Sequence, residues 1–314
     1  MYDVVLLSLA EGAGEACCGS DSCDSHAQAD TLRAPVRACL DALRAAGARV
    51  ESVTAHADKD IDAVLARFDG PAREDGLTWP DLDSKTRLVV AIATDGQLRH
   101  VVRRLVRRYA PPPSRRPADL ADNRTVPDLP ALAVLPMGPP SRDLAAQLGL
   151  PRDPAGVAAA ALGTEIRRVD LLRTDAGSVT LDGALLGGRA EERLATWQGR
   201  VEVDDAVLTN GDDPVLACVV GNAAGYAELD GLPLLTGADP VSGQIEVAVA
   251  VPVVSRSLLG KSKVRVEVRR ARGRAASVLP RDAEVPFVDD GVTGNLTRKR
   301  SWWIEPGAWA VYTG

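Results

Sequence analysis

The sequence predicts an α/β amino-terminal domain on a mostly parallel sheet, followed by a carboxy-terminal β-sandwich. Three observations carry that prediction. Short β-branched runs alternate with amphipathic stretches over the first half of the chain. From about Glu165 onward, apolar and polar residues alternate, as in VRVEVRR, with no long amphipathic helix between the runs. Between these, TRLVVAIATDGQLRHVVRRLVRRY at residues 86–109 changes period within one stretch.

In chain order, Tyr2–Leu9 reads as a strand. Thr31–Ala46 reads as a helix with Leu32, Val36, Leu40 and Leu43 on one face, Asp30 as N-cap and Gly47 as the stop. Arg49–Ala55 is a strand, and Ile61, Val64, Leu65 and Phe68 mark another helix. Leu88–Ile92 is a β-branched block suited to a buried parallel strand. It ends at Thr94-Asp95-Gly96, expected as a tight turn. Leu98, Val101, Val102, Leu105, Val106 and Tyr109 then recur on one helical face. Arg99, Arg103, Arg104, Arg107 and Arg108 fall outside that face and read as solvated. Leu129–Leu135 is a strand leading to a helix from about Asp143 to Leu148, while Asp69–Lys85 and Ala110–Asp128 are polar, proline-rich loops. The later strands are expected at Val169–Arg173, Val201–Leu208, Val215–Val220, Ile245–Val254, Val264–Arg270, Ala275–Leu279, Val285–Val288 and Trp302–Tyr312. Domain boundaries follow at 1–150 and 151–314.

The 314 residues allow two domains with a sizeable core each, and 46% hydrophobic with 25% charged residues is ordinary for a globular chain. A formal net charge of −6 argues against nucleic acid as a partner. No apolar run approaches the roughly 20 residues of a membrane-spanning helix. MYDVVLLSLA lacks a basic start and reads as a strand, not a leader. Five cysteines, three of them crowded together, do not form a disulfide framework, so the cytoplasm is the expected location.

A helix that starts directly after a strand aims unpaired N–H groups at whatever occupies the turn, usually phosphate. ATDGQL in that setting resembles the phosphate loop of the diacylglycerol kinase catalytic family, which includes bacterial lipid kinases and sphingosine kinases. That loop ordinarily reads Gly-Gly-Asp-Gly-Thr-Leu; Asp95, Gly96 and Leu98 match it. LAVLPMGPPSRDLAAQLGLPRDP is similar to the family's second loop at Pro136, Gly138, Asp143, Ala145, Leu148, Gly149 and Pro151. Val169-Asp170-Leu171, the strand ending at Asn222, ADPVSGQIEVAVA and VPFVDDGV resemble later family segments, in the family's order.

The resemblance implies a Rossmann-like nucleotide domain of the NAD kinase/diacylglycerol kinase type beside a β-sandwich. It also implies that the last segment, about 301–314, packs back on the first domain. ATP and Mg2+ are the implied cofactors, with a lipid or small alcohol as acceptor and peripheral membrane contact as a further expectation. Asp95 and Asp290 are the candidate catalytic residues. Thr94, Gly96, Gln97, Gly138 and Asp143 are the candidate nucleotide contacts, and Glu246 is a candidate metal ligand.

The departures fall on chemistry. Pro139 and Pro140 stand where Thr-Gly is usual and have no N–H to donate. Ser242 replaces an aspartate of the magnesium network, and Val292 stands where a glutamate follows Asp-Gly, with Asp289 and Asp290 nearby. A catalytically impaired pseudokinase that binds nucleotide or lipid is therefore the alternative to a lipid kinase. An NAD kinase is a related option. A metal- or thiol-responsive module is a third, because Cys17, Cys18, Cys23 and His26 in GEACCGSDSCDSH could gather Zn2+ or form a redox pair. Cys39 and Cys218 read as core, and Asp290-Gly291 has an alternative reading as a plain hairpin turn. Acceptor and oligomeric state, a dimer included, are left open.

Overall fold

The computed structural model describes residues 1–10, 33–118, 120–121, 124–138, 142–190, 193–256, 262–281 and 284–314. By compactness the chain divides into Met1–Arg168 with Ala308–Gly314, and Val169–Gly307.

The first unit is built on β1 (Asp3–Leu9), α1 (Ala34–Ala45), β2 (Arg49–Ala55), α2 (Asp58–Leu65), β3 (Thr86–Ile92), α3 (Asp95–Tyr109), β4 (Ala131–Pro136), α4 (Leu144–Gln147) and α5 (Pro154–Leu162). The strands run parallel in the order β2-β1-β3-β4. Ala310 and Val311 add a further parallel pairing beside Ala131 and Leu132. Side chains from β1, β3 and β4 meet Val36, Leu40 and Leu43 of α1 and Val157 and Ala161 of α5 in one buried cluster. Each fully buried Val or Leu there contributes about 1.5–3 kcal/mol of transfer free energy. Because α5 packs on α1, it belongs to the first unit, although a boundary at 150 assigns it to the second.

Two local expectations change. The helix expected from Thr31 is described from Ala34, with Arg33 as N-cap and Pro35 in the first turn; Asp30, the expected cap, lies outside the described residues. The arginines of α3 are not a uniformly solvated face: Arg107 is exposed, but Arg99 is buried and two others are paired. Arg104 pairs with Asp58 and Asp62, Arg108 with Asp69, and His100 lies 2.9 Å from Asp58. A charge stripe in the sequence does not reveal that a neighbouring helix carries the complementary one.

The second unit contains β5 (Ile166–Thr174, from Val169), β6 (Val179–Thr180), β7 (Gly183–Ala190), β8 (Arg193–Ala195), β9 (Gly199–Val203), β10 (Ala206–Asn210), β11 (Ala217–Gly221), β12 (Glu228–Leu229), β13 (Leu232–Pro233), β14 (Ile245–Arg256), β15 (Ser262–Gly273), β16 (Ala275–Pro280), β17 (Val285–Asp289), β18 (Val292–Leu296) and β19 (Arg300–Tyr312, to Gly307). One layer has the order β10-β9-β16-β19, the other β15-β14-β11-β7-β17-β18. All these pairings are antiparallel. Val201, Val203, Val278 and Trp302 of the first layer pack on Leu186, Val220, Val247 and Val249 of the second, the buried interior of a sandwich. Trp302, Trp309 and Tyr312 are buried, so the aromatic crowd near the end of the chain is core, and Cys39 and Cys218 are fully buried as expected.

β7 was not legible in GALLGGRA, because its glycines look like loop. Gly187 has φ +74°, and a Cβ there would collide with the Trp197 ring and come within 2.9 Å of the Leu216 carbonyl. The glycine lets a strand pass beneath an indole.

Candidate functional site

Beyond Ile92 the chain bends at Ala93-Thr94, and α3 begins at Asp95 with Thr94 as its N-cap. Asp95 and Gly96 are therefore the first helical residues rather than a turn preceding the helix. The Gln97 side-chain carbonyl accepts the Ala93 N–H at 2.8 Å, and the Gln97 N–H donates to the Thr94 carbonyl at 3.1 Å. Gln97, expected as a nucleotide contact, thus braces the bend. Ala93 and Thr94 are exposed, Asp95 is half-buried and Gly96 is buried.

The Asp95 carboxylate reaches the second loop. Its two oxygens accept the Leu144 N–H at 3.0 and 3.2 Å, at the start of α4. Asp143 caps the same helix by accepting the Ala146 N–H at 2.9 Å, and Arg152 holds it with two bonds of 2.7 and 2.8 Å. Hydrogen bonding to Asp143, and more weakly the charge of Asp95, holds the Arg152 guanidinium above its ordinary pKa. Neither Arg152 nor the amide of Leu144 is singled out by the sequence reading. Arg152 lies inside LGLPRDP, where glycine and proline carry the visible signal, and a backbone amide leaves no trace in residue type.

Between the two loops lies an open cleft of about 460 Å3, lined by Ile92, Ala93, Thr94, Asp95, Pro136, Gly138, Arg142 and Asp143. It sits beyond the carboxyl ends of β3 and β4, where open parallel sheets bind ligands. Gly138 is informative here. Its φ is not in the left-handed region, and among the described residues a Cβ would meet the Ala93 carbonyl at 3.8 Å and nothing nearer. Chain packing leaves room for a side chain at this position, and that room is cleft space. Pro139 and Pro140 lie outside the described residues.

The acidic residues expected from the later segments lie in the second unit and are engaged by its own backbone and side chains. Asp290 and Gly291, with φ +50° and +80°, form the two-residue turn joining β17 to β18. The Asp290 carboxylate is buried and accepts the N–H groups of Leu181, Asp182 and Gly183 at 2.7–3.1 Å. Asp289 accepts the Thr180 hydroxyl at 2.8 Å, and the Gly291 N–H donates to the Tyr226 hydroxyl at 2.7 Å. Asp170 is buried with one oxygen on the Gly243 N–H and the other on the Gly307 N–H, both at 2.7 Å; burial raises its pKa. Asn222 is fully buried and donates to the carbonyls of Asp170 and Leu181.

Glu246, the candidate metal ligand, is buried and accepts from the Thr236 N–H, the Thr236 hydroxyl and the Gly237 N–H. Ser242 donates to the Asp239 carbonyl at 2.8 Å within a surface turn. Among the described residues no group of three or more His, Cys, Asp or Glu side chains gathers as a metal site. Cys17, Cys18, Cys23 and His26 lie outside the described residues.

An α/β unit with a cleft at the carboxyl edge of its parallel strands, and a separate β-sandwich unit, define the class: the diacylglycerol kinase fold. Two structures described as a diacylglycerol kinase and a putative diacylglycerol kinase from Bacillus anthracis str. Sterne share it. Their TM-scores are 0.59 and 0.61 at 16% identity, with 100% of this chain and 97% and 98% of theirs covered. In sequence, residues 26–174 match the family model of the diacylglycerol kinase catalytic domain, so the family resemblance read from the two loops is shown over that stretch. No curated protein matches the chain. Among the described residues, no helix is long and apolar enough to cross a membrane.

Proposed function

We propose that this protein is a phosphotransferase that takes a nucleotide triphosphate in the cleft of the first unit and transfers a phosphoryl group to a hydroxyl on a lipid or related alcohol. The observation that carries the reading is the cleft itself. It is bounded by the two loops whose residues match the kinase family, and the carboxylate of one loop is tied to the backbone of the other. Phosphoryl transfer depends on positioning and charge neutralisation more than on covalent help, so a rigid pair of loops is the relevant machinery.

In this reading Gly138 leaves room for phosphate, and the Gly96 end of α3 presents N–H groups and the positive end of the helix dipole. Asp143, held by Arg152, frames the second loop. Gln97 serves by bracing the first loop at Ala93. Mg2+ is commonly held by one or two carboxylates together with substrate phosphates. Asp95 would hold such an ion, whose charge would offset that developing on the transferred phosphoryl oxygens. Glu246 does not fit as a ligand, because its carboxylate is buried on the Thr236-Gly237 turn and is not among the residues lining the cleft, as Asp95 is.

The acceptor proton is assigned to Asp95 rather than Asp290. Asp290 is buried and committed to three amides of its own unit, whereas Asp95 lines the cleft. That same observation favours the second reading, a nucleotide-binding protein without turnover. With Val292 in place of a glutamate, the carboxylates at this turn are Asp289 and Asp290, and both are buried.

Purified full-length protein is incubated with labelled ATP and Mg2+ and a panel of vesicle-borne diacylglycerols and long-chain alcohols. Label in the lipid fraction, lost on Asp95→Asn, is the expected result. A thermal shift with ATP and Mg2+ but no transfer supports the second reading. No shift and no transfer overturn both.

A further inference from the structure

At the opposite end of the same parallel sheet, we infer that Arg87 and Arg168 form a pocket for a small phosphate-type oxyanion, either free phosphate or the phosphomonoester headgroup of a lipid. The site is separate from the cleft and does not rest on the nucleotide reading.

The pocket is a cavity of about 70 Å3 at the amino ends of β3 and β4, where Ser84, Thr86, Arg87, Arg168 and Tyr312 contribute to its lining. All of them belong to the first unit. Thr86 and Arg87 open β3 at this pocket, and Ile92 ends it at the cleft. Seven residues of strand span roughly 20 Å, so a small ion held here lies well clear of the cleft. Sites for drug-sized ligands occupy roughly 300–1,000 Å3. This one has room for an oxyanion and not for a nucleoside.

Arg87 carries the site. Three contacts place its guanidinium. The Cζ atom lies 4.4 Å from the centre of the Tyr2 ring and 5.1 Å from that of Tyr312, and Nη1 donates to the Ser84 carbonyl at 3.3 Å. Ser84 and Tyr312 are themselves pocket walls, so the planar group is held at the pocket. Burial raises the Tyr312 pKa, and the charge and hydrogen bonding of Arg87 work against that rise. What Arg87 lacks is a counter-charge. Among the described residues no carboxylate pairs with it, and its Nε is buried without a hydrogen-bond partner. Aromatic faces attract a cation without neutralising it. An oxyanion supplies an acceptor and the missing charge together.

Arg168 adds a second positive charge. It donates to the Leu129 carbonyl at 3.2 Å and lies 3.3 Å from Asp128, which also pairs with Arg124. Two guanidinium groups thus share one carboxylate, and burial holds the Arg168 pKa below its ordinary value. Against these charges the lining sets one carboxylate among the described residues, Asp81, which accepts the Asp83 N–H at 3.1 Å. The Ser84 hydroxyl accepts the Thr86 N–H at 3.1 Å and keeps its proton to donate. Leu82 and Ile166, 48% and 49% exposed, border the pocket with apolar surface that suits a headgroup attached to a chain.

The test uses the full chain. Inorganic phosphate is titrated calorimetrically, and phosphatidylcholine vesicles carrying or lacking phosphatidic acid are sedimented with the protein. Wild type, Arg87→Gln, Arg168→Gln and Gly138→Ala are compared, with circular dichroism and urea midpoints to identify the folded variants. Binding is expected to be alike in wild type and Gly138→Ala, and to weaken about tenfold or more in each arginine variant. Arg87 also contacts two tyrosine rings, so if Arg87→Gln does not fold, Arg168→Gln decides. Sedimentation that requires phosphatidic acid and is lost in the arginine variants assigns the site to a lipid headgroup. Phosphate binding without sedimentation assigns it to the free ion. No binding of either probe by the wild type, or equal binding in wild type and the arginine variants, overturns the site. Loss in Gly138→Ala alone places the ion in the cleft and overturns it as well.

Discussion

The carboxylate of Asp95 is hydrogen-bonded to the backbone N–H of Leu144, across 49 residues of sequence, at 3.0 and 3.2 Å. The bond makes the loop at Ala93–Gly96 and the loop that opens α4 a single object. It also gives Asp95 two separable duties, one as an acceptor for an amide and one as a charge in the cleft. Asparagine can perform the first and not the second. Asp95→Asn is therefore expected to keep stability within about 0.5 kcal/mol while abolishing phosphoryl transfer, whereas Asp95→Ala additionally costs about 1–2 kcal/mol. Urea denaturation beside a transfer assay distinguishes the two; equal destabilisation by both variants would show that the bond is not what matters.

Gly138→Ala tests whether the glycine is there for the ligand. The added methyl meets the Ala93 carbonyl at an ordinary 3.8 Å, so the expected change in stability is below about 0.5 kcal/mol. ATP binding is expected to weaken, because the methyl occupies cleft space. A thermal scan with and without ATP reads both quantities, and a variant that binds as the wild type does would remove Gly138 from the site.

Asp290 gives the opposite pattern. Removing its carboxylate takes away the acceptor that the buried amides of Leu181, Asp182 and Gly183 share. Asp290→Ala is expected to lower stability by about 3 kcal/mol or more. Its effect on transfer should track the unfolded fraction. A folded, fully stable Asp290→Ala protein without activity would return this residue to the catalytic assignment.

The Asp170 carboxyl has its pKa raised by burial, partly offset by the Gly243 and Gly307 amides. The folded chain then holds this proton to higher pH than the unfolded chain does. Its contribution to stability is present below the unfolded carboxylate value, near 3.8 in the reference state, and is lost as pH rises through the folded value. Asp170→Asn is expected to flatten that part of the profile while lowering stability at every pH, since one amide loses its acceptor. Denaturation midpoints taken from pH 3 upward at half-unit steps would show it, and an unchanged slope would count against the assignment.

Thiol labelling offers a simple check on the cores. Burial pushes the Cys39 thiol up to about 11 and the Cys218 thiol up to about 12, and both side chains are fully buried. Neither is expected to react with a maleimide at pH 8 in the folded protein, and both should react in denaturant. Peptide mapping of the labelled protein identifies the sites. Prompt modification of Cys218 in the folded state would contradict its place between β7 and β14.

Much of this protein follows from local sequence. The alternation of β-branched runs with amphipathic helices, and then of apolar with polar residues, is a direct consequence of which faces must be buried. The α/β-then-β order, the strand into Ile92 and the apolar face of α3 could therefore be read residue by residue. The two loops were legible because glycine, proline and aspartate mark them by type. What tertiary structure alone decided is who meets whom. That Asp95 bonds Leu144, that Arg152 clamps Asp143, that Arg104 faces Asp58 and Asp62, and that Asp290 turns inward onto three amides depend on contacts between positions far apart in the chain. A carboxylate has the same letter whether it faces a cleft or a row of buried N–H groups. Only the folded neighbourhood sets which of those it does, because desolvation and hydrogen bonding act through space and not along the sequence.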